Sequence, residues 1–245
     1  TAALCATMTA QSAADFSADR FKAHVAFLAD DLLEGREAGT RGHEIAARYV
    51  AAQFALLGVK PAAPDGTYFE PVQLAEWTRS GTPGVLSVTT PRGTRVFKQG
   101  EDALISGSPA GGRSDVKGAL VFAGYGVVDA ALKIDDYQGI DARGKIVVVL
   151  GAPMTGIDSE VAAHLQSQQQ QTAVEHGAVG TISIQTHIAA KVRPWNELVE
   201  RVHAPSTTWV QRNGTPFDYA HGLRATAAVD AKAASALFDG SSPSL

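Results

Sequence analysis

FKAHVAFLADDLLEGREAGTRGHEIAARYVAAQFALLGVKP, residues 21–61, decides how the rest of the chain is read. In its first part Phe21, Val25, Leu28 and Leu32 recur at i, i+4, i+7 and i+11, a single apolar stripe at helical spacing. Ser17 stands where an N-cap belongs, and Asp19 falls in the first turn, where a carboxylate suits the helix dipole. The second part carries a similar stripe of Ile45, Tyr49, Ala52 and Leu56, broadened by Val50, Phe54 and Leu57. Thr40 is the expected cap of this second helix, Gly58 its C′ residue, and Pro61 forbids continuation. Gly35, Gly39 and Gly42 make the turn between the helices.

The surrounding composition narrows the class. The 245 residues are 45% hydrophobic and 19% charged, enough to bury a sizeable core in one large domain or two ordinary ones. A formal charge of −4 and the lack of a basic run argue against nucleic acid as partner. No run of about eighteen apolar residues marks a membrane span, so no membrane partner is expected. The single cysteine, Cys5, allows no internal disulfide. The opening run TAALCATMTAQSAA is small and apolar, with charge first at Asp15. It reads as the back half of a secretory signal peptide over residues 1–14, with periplasmic or secreted localisation as the expectation. Leu4 before Cys5 argues against a lipid-anchor signal. Truncation at both ends is expected.

Beyond Pro61 the pattern changes. Pro, Gly, Thr and Ala dominate residues 62–84, with a turn at Pro64-Asp65-Gly66 and an edge strand expected over Tyr68 to Leu74. From Val85 the period becomes two, so residues 15–76 and 77–245 are read as separate regions. Val85 to Thr89 and Thr94 to Phe97 read as a hairpin about Pro91-Arg92-Gly93. Ala119 to Val128 (ALVFAGYGVV, interrupted by Gly124 and Gly126), Lys145 to Leu150 (KIVVVL) and Ala178 to Ile184 read as strands of one sheet or barrel. A helix is expected over Ser159 to His176, ending at Gly177, with Gln168–Gln171 on its solvated face. Weaker elements follow: a helix over Trp195 to Val202 capped by Asn196, strands at Thr207 to Val210 and Leu223 to Val229, and a helix from Asp230 to about Phe238.

Two resemblances join these regions. The run Leu28-Ala29-Asp30-Asp31-Leu32-Leu33-Glu34-Gly35-Arg36, then Gly39-Thr40-Arg41-Gly42, Ala46-Ala47-Arg48-Tyr49-Val50 and Leu57-Gly58-Val59-Lys60-Pro61, resembles the N-terminal segment of the co-catalytic di-zinc aminopeptidases. That family includes secreted bacterial aminopeptidases and relatives of glutamate carboxypeptidase II. The run Leu120 to Val128, then Asp136-Tyr137, Gly139, Asp141, Gly144 to Val149 and Glu175-His176-Gly177-Ala178-Val179-Gly180, is similar to a protease-associated domain. Peptidases of this family carry such a domain inserted after their opening helices. The implied fold is α+β: the N-terminal helical segment of an α/β peptidase domain, incomplete, followed by a β-rich protease-associated domain, incomplete at its C-terminal end.

The resemblance implies hydrolysis of a peptide bond at a free N-terminus, with two zinc ions activating a shared water and polarising the carbonyl. Their His and carboxylate ligands would lie after the protease-associated domain. A His-x-Asp would open that set, and a Glu-Glu pair would supply the general base and a ligand. The seven histidines here, 24, 43, 164, 176, 187, 203 and 221, fall in no His-x-Asp and no His-Glu-x-x-His. His43-Glu44 and Glu175-His176 are the adjacent His–carboxylate pairs, and both read more plainly as solvated helix pairs.

Other chemistries leave equally little. Asp135, Asp136 and Asp141 could offer oxygens to calcium but read as a solvated loop. Gly107-Ser108-Pro109 lacks the spacing of a nucleophile elbow, and Gly124-x-Gly126 meets Asp129 where a dinucleotide fingerprint needs a third Gly. Arg36 could fork onto a carboxylate, though bracing its turn is the simpler role. No residue is therefore assigned as catalytic or metal-binding, and substrate-binding residues and oligomeric state stay open. Zinc and a peptide substrate belong to the longer parent. The rival expectation is a stand-alone protease-associated-type module that binds peptides or proteins without catalysis.

Overall fold

The computed structural model describes residues 16–78, 83–107 and 111–240. The signal-like stretch, Cys5, Ser108 and Pro109 lie outside the described residues. The chain divides into two compact units, Thr1–Val72 and Gln73–Leu245.

The first unit is a helical hairpin. Helix α1 spans Ala18–Leu28, with the Ser17 hydroxyl accepting from the Arg20 amide. It stops a turn earlier than the apolar stripe suggests. The Asp30 carboxylate accepts from the Leu32 amide and starts a separate 3-10 turn, Asp31–Leu33. That side-chain cap competes with continued helix, and it turns Leu32 out to 89% exposure while Leu33 goes in. Helix α2 spans Arg41–Leu56, capped by the Thr40 hydroxyl on the His43 amide and followed by Gly58 at φ 72°. At Gly42 a Cβ would overlap the carbonyl oxygens of Leu33 and Gly35, so only glycine lets the turn close on the helix. The helices meet through Tyr49, which stacks on Phe27 at 4.2 Å between ring centres and bonds the His24 ring nitrogen at 2.8 Å. Among the described residues of this unit Leu33 is the one large apolar side chain that is buried.

The second unit carries every strand of the described residues. Strands β1 (Leu74–Trp77), β2 (Leu86–Thr90), β3 (Gly93–Phe97), β4 (Ala103–Ser106), β5 (Leu120–Phe122), β6 (Val128–Asp129) and β7 (Ile134–Asp135) precede β8 (Ile146–Gly151). Helices α3 (Ser159–Ser167) and α4 (Gln169–Glu175) lead to β9 (Gly180–Gln185). Helices α5 (His187–Val192) and α6 (Trp195–Arg201), strands β10 (Ser206–Trp209) and β11 (Ala225–Val229), and helix α7 (Ala231–Ala234) with a 3-10 turn at Ser235–Leu237 complete it.

Five strands form one sheet in the order β4-β11-β9-β8-β5. β5, β8, β9 and β11 run parallel, and β4 is antiparallel to β11. The three runs expected to share a sheet do so, as neighbours, with Leu120 opposite Ile146 and Val148 opposite Ile182. β2 and β3 form the expected hairpin, one residue displaced at each strand start, with Leu86 opposite Phe97. β1 pairs with β10, Leu74 opposite Trp209, so the strand expected at Tyr68 to Leu74 lies further along and clear of Pro71.

The core follows from alternation along β8. Val148 faces one side, among Phe97, Ile182, Val229 and Leu237. Val147 and Val149 face the other, among Tyr137, Ala173, Ala178 and Leu223. A strand buried on both faces reads as an unbroken apolar run, which is why KIVVVL is so plain in sequence. A third cluster of Val127, Met154, Ala162 and Leu165 sits under α3.

Several expectations need correction. ALVFAGYGVV is two strands, because Gly124 and Gly126 adopt φ of 52° and 67° and turn the chain between them. The helix expected over Ser159 to His176 breaks at Gln168. Pro194, not Asn196, stands at the N-cap of α6. β4 and α5 form where the sequence pattern marks no element. No helix among the described residues is long and apolar enough to cross a membrane.

Candidate functional site

The residues singled out in sequence each bond within their own unit. The Arg36 guanidinium donates to the Leu28 carbonyl and so braces the end of α1. Glu44 is taken by Arg48 one turn on, at 2.7 Å and well exposed, while His43 lies on the exposed first turn of α2. At the other pair, Glu175 accepts from the Gln171 carboxamide at 3.0 Å. His176 turns instead to the Thr172 carbonyl, 2.8 Å from Nδ1, and stacks on Tyr137 at 4.0 Å between ring centres. Neither pair points both members at one place.

The three aspartates between 135 and 141 each accept from a backbone amide. Asp135 accepts from the Tyr137 amide at 3.0 Å and Asp136 from the Val127 amide at 3.2 Å. Asp141 accepts from the Arg143 amide at 3.2 Å and pairs with Lys145 at 3.3 Å. The amide first, and then Lys145, hold its carboxyl below the usual range. Among the described residues no three His, Cys, Asp or Glu side chains are placed to hold a metal ion. Gly124 and Gly126 lead into β6 rather than a helix, so no phosphate-cradling turn forms there.

Two glutamines tie helices to the sheet of the second unit without any mark in the sequence. Gln169 belongs to the run read as a solvated face, yet its carboxamide donates to the carbonyls of Tyr125 at 2.5 Å and Leu150 at 3.2 Å. Gln166 likewise donates to the Ala152 carbonyl. Together they tie α3 and α4 to the carboxyl end of β8. Tyr137 is buried, and among the described residues nothing hydrogen-bonds its hydroxyl; the same is true of Gln185 Oε1 at the end of β9. Nothing in a single sequence marks these two residues, because their burial is a product of the sheet.

Burial, and next the charge of Asp136, push the Tyr137 phenol up to about 12. A phenol whose folded pKa lies above its unfolded value of 10.0 favours the neutral form in the fold. The stability tied to it is complete below pH 10 and is lost as pH rises toward 12. Replacing Tyr137 by phenylalanine removes an orphaned buried hydroxyl. The substitution should raise stability by roughly 1 kcal/mol near neutral pH and flatten the alkaline loss. Urea titrations of both proteins from pH 8 to 12 check this; an unchanged alkaline slope in Tyr137→Phe contradicts it.

A shallow pocket of about 120 Å³ lies where Gln170, Asp218, Tyr219, Ala220, Leu223 and Thr226 meet. It is small against the several hundred Å³ of a typical ligand site. Asp218 Oδ1 there accepts from the Ala220 amide at 2.9 Å. No nucleophile–base pair lines it among the described residues.

Comparison with known proteins adds little that is specific. No family model matches the chain, and a search of curated proteins finds no match. Among solved structures, an aminopeptidase from Aneurinibacillus sp. strain AM-1 superposes with a TM-score of 0.38 at 20% identity. The superposition covers 90% of this chain but 40% of that one. The matched part of the chain therefore spans 40% of that aminopeptidase's length.

Proposed function

We propose that this chain is the N-terminal portion of a secreted or periplasmic zinc-dependent aminopeptidase. It holds the first helices of the peptidase domain and a protease-associated domain that acts as a lid or a substrate-recognition module. The observation that carries the reading is the pairing of two motif runs, from Leu28 to Pro61 and from Leu120 to Gly180, in the order that the family uses. It is supported by the first unit, where Phe21, Val25, Val50, Phe54, Leu56 and Leu57 are all exposed. Apolar faces of that extent mark a surface made for a partner.

Among the described residues no three His, Cys, Asp or Glu side chains are grouped as zinc ligands. Metal and general base would come from the remainder of the parent, and no catalytic step is assigned to this chain. The purified polypeptide, dialysed and free of tags, is expected to bind zinc below stoichiometric level; tight one-to-one zinc by metal analysis would overturn that.

The test of the whole reading is the coding sequence after Leu245. A His-x-Asp and a Glu-Glu pair there, with chelator-sensitive release of N-terminal residues from peptides by the longer protein, support it. A stop codon at that point favours the second reading. In that reading the Gln73–Leu245 unit, which has a core on both faces of its sheet, is a peptide- or protein-binding module without catalysis.

A further inference from the structure

We draw no further inference here: the strongest candidate, the exposed apolar surface that Val50, Phe54, Leu56 and Leu57 give to the second helix of the N-terminal unit, already serves the proposed function, and nothing in the structure shows what covers it.

Discussion

Gly126→Ala lowers the stability of the second unit by about 2–5 kcal/mol, read as a fall in the urea midpoint. Two costs add at this position. Gly126 sits at φ 67°, a left-handed conformation that costs an L-residue roughly 1–2 kcal/mol. A Cβ there would also stand 2.5 Å from a methyl carbon of Val149 and 3.6 Å from the Tyr137 hydroxyl. Val149 is buried at 3% exposure, so overpacking adds about 1–3 kcal/mol. Gly139→Ala separates the two terms. Gly139 has φ 76°, but a Cβ would meet nothing within 4 Å, so only the backbone cost applies. Equal losses in the two variants would show that the packing of Gly126 against β8 is not as described.

The same glycine shows where sequence reading succeeded and where it stopped. The Gly-Tyr-Gly run was legible as an interruption, but the geometry that needs glycine was not. That need comes partly from the positive φ and partly from Val149, more than twenty residues away in the chain. Elements fixed by local rules were read well. Ser17 and Thr40 cap their helices as the residue types suggest, and Gly58 and Gly177 end theirs at positive φ. β8 is a bare apolar run because both of its faces are covered.

Competition between neighbours was harder to see. Helical spacing includes Leu32 in the α1 stripe, but the Asp30 carboxylate captures the Leu32 amide first. β4 is not legible in sequence because it is four residues long and borders a run of small residues. Its place is set by Gln99, whose Oε1 accepts from the Ile105 amide, and by antiparallel pairing with β11. The buried polar groups were the least legible. Gln169 looks the same in sequence as its neighbour Gln171, which is exposed and bonds Glu175. Only the position of β8 makes one an interior tie and the other a surface residue.

Amides of α1 and α2 are expected to exchange with solvent at least about a hundredfold faster than those of β8 in the isolated chain. Protection follows the free energy of opening, and burial supplies most of that energy. In β8, Val147, Val148 and Val149 are each buried to within a few per cent, and the strand bonds partners on both sides. In the first unit the balance is different. Leu56 is 81% and Phe21 58% exposed, Tyr49 joins the helices by bonding His24 and stacking on Phe27, and Leu33 is the one large apolar side chain buried among the described residues of the unit. Each large apolar side chain left in water forfeits roughly 1.5–3 kcal/mol of burial. Helices of 11 and 16 residues are marginal in water without such packing. In a longer parent the same faces would be covered, and the helix amides would then approach the protection of the sheet. Exchange measured on both proteins therefore tests the proposed function through a physical property rather than through activity. If the helix amides between Phe21 and Leu56 in the isolated chain are as protected as those of Ile146 to Leu150, the first unit has a sufficient core of its own. The exposed stripes would then be an ordinary surface, and the proposal that they await the rest of a peptidase domain would lose its structural support.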